Sequence, residues 1–494
     1  MKISLKTAQL VLLLLTAIAA GLLVYQPHWN YPFPFHVDEW HHISEASRLG
    51  NYGEYFEVLR SEWDQRFTGL EIGFHFFLFL LSFVFDLVLI YQYLPAIWMA
   101  VIVLILFYVI YQQSGQRFFL AWLAMIFFVS IKSNVNLLGL WFFTPLTFSF
   151  PFILLYLYFF NRGFLEQNKK YLLISLGIMI FLLPTHSLAV LFALPALLVY
   201  ALINYRYLFK EYKFFLLFLI IPVFGLILYK LTLNLSWPQT IPHLFSQLMF
   251  RHGWGVLELK NSLVEIYNWL GYLFALAGVI FIFFRRQAKE HALYLLLLLT
   301  LFILIVLYRL TGISFFSPYQ RNLYYLVLLL PWFSAIGLFL ILQIIKKNIA
   351  ELSFFGEIKK YFPWFIQSVI ISIVIILLFV NYYQLPPQID LYQVINQNDY
   401  QLLKLFSDLP KRKVMALPFM STALYPISRQ EPVATLAFYG DKKDVEEFFG
   451  DSSCIIKSQI LKKHEVKYII SPEPIDCNFG RLYQKYDNYV YQIQ

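Results

Sequence analysis

The feature that most constrains this chain is a series of apolar runs of the kind that cross a lipid bilayer. The stretches 7–25, 214–229, 293–307 and 365–380 contain no charged residue. A helix pairs its own backbone N–H and C=O groups, so it can cross hydrocarbon, where about 20 apolar residues span the core. The chain is 60% hydrophobic and only 14% charged, which is far more apolar than a soluble domain. The runs therefore predict an α-helical polytopic membrane protein.

Twelve candidate helices can be drawn along the chain. They lie at 7–25, 72–90, 92–112, 118–132, 142–160, 171–186, 187–205, 214–232, 266–284, 292–310, 322–345 and 364–383. Lysine and arginine cluster in the connectors at 162–170, 206–213, 285–289 and 346–360, and such clusters mark the cytoplasmic side of a membrane. Because the basic residues lie in these connectors, the net charge of +9 encodes orientation, and we expect no nucleic-acid partner.

These connectors predict a multi-pass protein of the cell membrane with a cytoplasmic amino terminus. They place outside the cytoplasm two loops, 26–70 and 233–265, and the tail from residue 384. An inward amino terminus and an outward tail need an odd number of crossings, so twelve is wrong by one. We expect 11 to 13 helices and favour eleven, because the stretch 72–90 carries His75 and Asp86 and suits a non-spanning segment.

The amino terminus leaves two interpretations open. Lys2 and Lys6 precede the first apolar run, and Ala17 and Ala19 within it resemble a signal-peptide cleavage site. The run continues to Tyr25 and so reaches the length of a spanning helix, which favours an uncleaved first helix. Both interpretations put the first loop outside the cytoplasm.

Beyond residue 383 the composition changes from apolar to mostly polar. Pro386 and Pro387 end the last apolar run. The tail alternates β-rich runs with helix-like stretches, at 413–417, 442–449, 457–463, 466–470 and 489–493. We therefore predict a transmembrane domain over 1–383 and a small extracytoplasmic α/β domain over 384–494. Both cysteines, Cys454 and Cys477, lie in this tail, where a disulfide and two buried thiols are both open.

Acidic residues are concentrated in the first outer loop. Eight of the chain's 29 acidic residues fall between positions 38 and 71, and the loop opens with the pair Asp38-Glu39 followed by His41-His42. If this segment is helical, Asp38, His41, His42 and Glu45 share one face. The pattern admits a divalent metal site formed by these four residues, a solvated helix whose acids and histidines pair, or a catalytic base at Asp38.

Isolated cations and histidines near the outer helix ends form a second group of candidates. Arg309 and Arg321 flank the loop at 311–321, where guanidinium groups suit a lipid phosphate, although interfacial arginines often only snorkel. His186 lies in the junction Pro184-Thr185-His186, where a structural histidine is the alternative. Arg251 and His252 belong to the aromatic and basic loop 233–265, which suits the headgroup layer.

The chain resembles the GT-C glycosyltransferases, such as the dolichyl-phosphate-mannose-protein mannosyltransferases and the aminoarabinose transferases. The resemblance rests on Val37-Asp38-Glu39, Gly73-Phe74-His75, the Pro-Thr-His junction, Pro318 to Arg321, and Val466 to Ile470 in the tail. It implies Asp38 as the general base with Glu39 beside it, and it suggests His42 and His75 as further substrate-binding residues. His41-His42 departs from the family pattern, so metal dependence stays open.

The resemblance implies an inverting transfer of a sugar from a polyprenyl-phosphate carrier to an acceptor hydroxyl. The expected partners are this donor, a glycan, lipid or protein acceptor, and membrane lipid. Other functions remain open: a lipid-linked glycan polymerase or ligase, a transporter or flippase, and a non-catalytic scaffold. The spanning runs carry almost no acid and the two halves are not alike, which disfavours transport.

Overall fold

The computed structural model describes residues 5–63, 70–131, 139–251, 266–284, 288–351, 362–380, 392–436 and 440–493. Up to residue 380 these residues are almost entirely helical. The α-helices there are Leu5–Tyr25, Val37–Arg48, Tyr52–Trp63, Ile72–Ser82, Leu87–Ile90, Leu94–Gln113, Phe118–Val129, Pro145–Leu165, Lys169–His186, Leu188–Leu191, Leu194–Ile203, Tyr205–Lys210, Tyr212–Phe215, Ile220–Leu233, Trp237–Gln247, Trp269–Phe284, Ala288–Thr311, Tyr319–Glu351 and Phe362–Phe379. Short 3₁₀ helices lie at Gln26–His28, Tyr91–Tyr93 and Leu216–Leu219.

Seven helices of the described chain are long and apolar enough to cross a membrane. They are Lys6–His28, Leu87–Gln113, Pro145–Leu165, Tyr212–Leu233, Lys289–Thr311, Tyr319–Ile349 and Phe362–Phe379. Shorter apolar helices accompany them at Ile72–Ser82, Phe118–Val129, Leu188–Ile203 and Trp269–Phe284. The predicted helical polytopic membrane fold is thereby confirmed, while the sidedness of the termini stays a prediction.

The segment predicted not to span is short in the structure. The helix Ile72–Ser82 has 11 residues, which at a rise of about 1.5 Å per residue gives about 16 Å. The hydrocarbon core is about 30 Å thick, so this helix alone does not cross it. The following helical stretch begins at Leu87, and the predicted segment 92–112 lies within it. The predicted run 72–90 is therefore two separate helices.

The helix Tyr319–Glu351 forms the centre of the membrane region, where 89% of its apolar window is buried. Two glycines let it pack closely against Trp269–Phe284. A Cβ at Gly278 would lie 2.0 Å from the Phe333 carbonyl oxygen, and one at Gly337 would lie 2.0 Å from that of Phe274. Only glycine permits this backbone approach, which is how small residues support helix packing in lipid.

Two loops that the sequence predicts to lie on the outer side are joined by a small antiparallel sheet. Strand β1 (Met249–Arg251) belongs to the loop 233–265, and strand β2 (Ile313–Phe315) lies just before the central helix. They pair with Phe250 opposite Ser314. The pairing holds part of the loop 233–265 next to the start of the helix that carries Arg321.

The tail folds into the predicted small α/β unit. Its strands are β3 (Lys413–Ala416), β4 (Glu431–Pro432), β5 (Val466–Ser471), β6 (Arg481–Lys485) and β7 (Asn488–Gln492), in the order β4-β3-β5-β7-β6. Strands β4, β3 and β5 are parallel, whereas β7 is antiparallel to both β5 and β6. Helices Gln397–Leu405, Pro418–Ser428, Lys442–Phe449 and Cys454–Lys463 and the 3₁₀ helix Phe406–Asp408 complete it.

Three of these strands and two of these helices match the sequence expectation. The sequence did not predict the helix Gln397–Leu405, the strands β4 and β6, or the helix Pro418–Ser428, in which Pro418 and Pro426 obscure a helical pattern. Cys454 and Cys477 form a disulfide, so the alternative of two free thiols is excluded. The bond ties the helix Cys454–Lys463 to the segment that leads into β6.

Candidate active site

The helix Val37–Arg48 carries the acidic pair and begins with a reciprocal cap. The side chain of His36 accepts a hydrogen bond from the Asp38 N–H at 3.1 Å, and the Glu39 carboxylate accepts one from the His36 N–H at 3.1 Å. Such a capping box satisfies backbone donors that a helix start leaves without partners. The sequence therefore fixes where this helix begins, and with it the position of Asp38.

Glu39 is fully buried, and among the described residues its carboxylate is bonded only to backbone donors. Its oxygens accept hydrogen bonds from the N–H groups of Phe35 at 2.7 Å, His36 at 3.1 Å and Phe143 at 2.8 Å. Burial raises the pKa of Glu39 to about 7, while these backbone donors act in the opposite direction. The carboxylate thus joins the helix start to the segment before Pro145–Leu165, which favours a positioning role over the predicted catalytic one.

Asp38 has different surroundings, since its side chain is 28% exposed. Its carboxylate lies 3.7 Å from His36 Nδ1, but that nitrogen already accepts the Asp38 N–H and has no proton to donate. Across the described residues, no hydrogen-bond donor reaches the Asp38 carboxylate. An accessible carboxylate without a partner, held on a fixed helix start, is what a general base requires.

Three of the predicted substrate-binding histidines meet beside this helix. His42 Nδ1 lies 3.0 Å from His75 Nε2, and His75 Nδ1 lies 2.8 Å from the Tyr55 hydroxyl. Glu71, the residue before the helix Ile72–Ser82, lies 4.0 Å from His42 Nδ1 and 3.6 Å from His186 Nδ1. All three imidazoles are buried. The cluster joins side chains from segments that are far apart in sequence.

A glycine permits this convergence. A Cβ at Gly73 would lie 2.5 Å from Thr185 Oγ1 and 3.1 Å from the Thr185 Cα. Gly73 therefore allows Ile72–Ser82 to approach the end of Lys169–His186 closely enough for Glu71 and His186 to meet.

The cluster fits a divalent cation. One ligand atom each of His42, Glu71 and His75 lies within 4.8 Å of the others, and two imidazoles with one carboxylate are a typical zinc ligand set. Neither ring nitrogen of the buried His186 has a hydrogen-bond partner among the described residues. A buried histidine in that condition suits a fourth ligand or a bound phosphate.

The four residues predicted as a metal set from one helix face do not converge. Of Asp38, His41, His42 and Glu45, His42 alone belongs to a described cluster of metal-ligand type. Glu45 instead approaches Arg48 Nε at 3.8 Å, and burial raises its pKa to about 8. Burial also lowers the pKa of His41 to about 4. The helix face that these residues share is wide enough to contact two different neighbouring elements.

The predicted cations divide between the site and its surroundings. Burial raises the pKa of Glu71 to about 8, and the nearby positive charge of Arg321 opposes that rise. Arg321 is therefore part of the site's electrostatics, at the start of the central helix. Arg309 is exposed and donates a hydrogen bond to the Tyr319 hydroxyl at 3.0 Å. The Arg251 backbone lies in β1, while its side chain and all of His252 fall outside the described residues.

Sequence reasoning missed Glu71 and Tyr55. Glu71 had a usable signal, because it precedes His75 by four residues and therefore shares a helical face with it. Tyr55 had none, because an isolated tyrosine in an aromatic-rich chain carries no pattern.

The fold is the one that the sequence resemblance implied, and solved structures share it. No protein-family profile matches the chain, and no curated protein matches its sequence. Among solved structures, the Archaeoglobus fulgidus oligosaccharyltransferase tethered with an acceptor peptide has 12% identity and a TM-score of 0.57. The match covers 93% of this chain and 69% of that one. The same enzyme in complex with Zn and sulfate has 12% identity and a TM-score of 0.55, over 92% and 67% of the two chains.

ArnT from Cupriavidus metallidurans matches over nearly its whole length. Its structure bound to undecaprenyl phosphate has 10% identity and a TM-score of 0.51, and the match covers 96% of this chain and 97% of that one. At such low identities these likenesses establish a shared fold.

Proposed function

We propose that this protein is a membrane glycosyltransferase that moves a sugar from a polyprenyl-phosphate carrier to an acceptor hydroxyl, with Asp38 as the general base. The observation that carries the proposal is Asp38 itself, an accessible carboxylate to which no described residue donates a hydrogen bond, beside a buried histidine cluster. The similar structures support it, since one holds an acceptor peptide and another holds undecaprenyl phosphate.

The reaction follows from the chemistry of these groups. A hydroxyl is a weak nucleophile at neutral pH, so Asp38 accepts its proton as the oxygen bonds to the anomeric carbon. The bond from that carbon to the carrier phosphate breaks, and the phosphate leaves with the electron pair. Arg321 supplies positive charge for this phosphate. A single displacement of this kind inverts the configuration at the anomeric carbon.

The histidine cluster is proposed to serve the leaving group. His42, Glu71 and His75 would hold a divalent cation, with His186 as a further ligand. Such a cation, when bound, supplies Lewis-acid stabilisation of phosphate charge. One similar structure contains Zn and sulfate, which supports this assignment. In the absence of a cation, the neutral ring of His186, whose nitrogens have no hydrogen-bond partner among the described residues, donates one hydrogen bond to a phosphate oxygen.

We place the reaction on the extracytoplasmic side. The basic connectors predict this orientation, and a disulfide in the tail is typical of an oxidising compartment. The donor is then the lipid-linked sugar, and the acceptor is a glycan, lipid or protein that reaches the same side.

The test is transfer by purified full-length protein from a panel of polyprenyl-phosphate sugars, with and without chelator. Asp38→Asn should abolish sugar release while the protein folds normally. Glu57→Gln, which changes an exposed acid of the same outer loop, is the matched control and should retain activity. Full activity of Asp38→Asn would refute the role of Asp38, and no release from any carrier sugar would refute the enzyme.

A further inference from the structure

The C-terminal domain contains a basic groove at the end of the sheet where β3 and β5 begin. Its cavity volume is about 1280 Å³. Its charged lining residues are Lys411, Arg412, Lys413, Lys462, Lys467, Glu431 and Glu465. Five positive and two negative side chains give the basic groove a net charge of +3. This concentration lies within one small domain, outside the site already described.

Most of the positively charged side chains in the basic groove are not paired with a carboxylate of the described residues. Lys411 is paired, with Glu431 at 2.9 Å and with Glu54 at 3.0 Å. The other four cations are exposed, and in the part of the chain that the structure describes none has a carboxylate within 4.0 Å. Lys413 begins β3 and pairs in register with Val466, the residue before Lys467. Several like charges that line one cavity repel each other, and an anionic ligand would relieve that repulsion.

The remaining lining does not suit an apolar partner. Leu461 and Phe479 line the groove but are mostly buried, with 5% and 9% of their surfaces exposed. Pockets for small ligands usually enclose about 300 to 1,000 Å³, so this larger volume accommodates several sugar units. Charge and size together indicate an extended anionic ligand.

The basic groove adjoins the helix that carries Asp38. Glu431, which lines the groove, accepts hydrogen bonds from both terminal nitrogens of Arg48, at 3.1 and 3.0 Å. Arg48 ends that helix, and ten residues separate it from Asp38, which corresponds to about 15 Å along a helix axis. Asp38 therefore lies within the length of a glycan of several sugars from the Glu431 edge of the groove.

We propose that the basic groove binds an anionic glycan, bearing phosphate or carboxylate groups, and that this glycan is the acceptor. The inference rests on the proposed function, because it names the acceptor class for the same transferase. The groove holds the charged units of the glycan by charge-assisted hydrogen bonds. The terminal hydroxyl then reaches Asp38.

The test measures binding of a fluorescein-labelled oligogalacturonate to the full-length Asp38→Asn protein in detergent. The fully methyl-esterified oligomer, which has the same sugars without charge, is the ligand control. The combined Lys413→Ser and Lys467→Ser change should weaken binding about tenfold. The combined Lys443→Ser and Lys485→Ser change removes two exposed lysines of the same domain outside the groove and should leave binding within twofold. Lys462→Ser, on a different element of the groove, should also weaken it.

Three outcomes would overturn the inference. If groove variants and control variants bind the oligomer equally, the groove does not bind the glycan. If the methyl ester binds as tightly as the charged oligomer, the charge of the glycan is not recognised. Loss of binding to phosphatidylglycerol vesicles in the groove variants, with no oligogalacturonate binding, would assign the groove to lipid headgroups. Because Asp38→Asn does not turn over, binding is independent of catalysis. A wild-type protein that binds the oligomer but transfers no sugar would refute the proposed function while leaving glycan binding intact.

Discussion

Replacing Glu39 with glutamine separates the two members of the acidic pair. Glu39 accepts three backbone N–H bonds, two on Oε2 from Phe35 and His36 and one on Oε1 from Phe143. A glutamine has one acceptor oxygen. If that oxygen keeps the pair from Phe35 and His36, its NH₂ group faces the Phe143 N–H, and a buried donor loses its acceptor.

The expected cost is about 1–3 kcal/mol, the usual penalty for one buried unsatisfied donor. Burial disfavours the charged carboxylate, as its raised pKa indicates, so the neutral amide recovers some desolvation free energy and the lower half of that range is expected. Asp38→Asn, by contrast, should change stability by about 0.5 kcal/mol or less, because no donor contacts that carboxylate among the described residues.

The assay is thermal unfolding in detergent followed by intrinsic tryptophan fluorescence, since Trp40 is buried in the same helix. Glu39→Gln should lower the midpoint and retain residual transfer activity, whereas Asp38→Asn should keep the midpoint and lose activity. A Glu39→Gln protein with wild-type stability and no activity would contradict the positioning role and make Glu39 part of the chemistry.

Three further predictions concern the surroundings of this pair. Burial raises the pKa of Glu45 in the folded state to about 8, above its value in the unfolded chain, so the folded state binds the proton more tightly. The contribution of Glu45 to stability should therefore be lost as the pH rises from about 4.5 to 8. Glu45→Gln should flatten that part of a profile of melting temperature against pH. Gly73→Ala should lower stability and activity together, because its Cβ would lie 2.5 Å from Thr185 Oγ1, and adding Thr185→Ala should recover part of both in a melting and transfer assay. If the histidine cluster binds zinc, a hundredfold excess of zinc over its dissociation constant should stabilise the protein by about 2.7 kcal/mol. Combined His42→Ala and His75→Ala should remove both that shift and the zinc retained after dialysis.

The helix Val37–Arg48 shows which features a local sequence pattern can predict and which it cannot. The spacing of Asp38, His41, His42 and Glu45 places them on one face if the segment is helical, and the structure has a helix there. However, this polar face is wide enough to contact two different neighbouring elements. His42 turns to His75, and Glu45 lies with Arg48 against Tyr425 of the tail. The sequence of one helix does not show which neighbouring element packs against which edge of its polar face.

Glu39 shows the same limit from another side. Its place at the third position of the helix puts it in the capping box, a local contact with His36. Its third hydrogen bond comes from Phe143, which is 104 residues away. That contact gives Glu39 the surroundings of an anchor, and no local pattern contains it. Its catalytic role stays a prediction.

The sequence by itself determined that this chain is a helical membrane protein with a small α/β tail. Long apolar runs have only one way to satisfy their backbone in lipid, and strands and helices of the tail have local periodicities. The tertiary structure alone decided which histidines meet, what Glu39 holds, and that five cations surround one groove. Those features join side chains from elements distant in sequence, and their positions follow from helix packing and strand pairing, which no local pattern encodes.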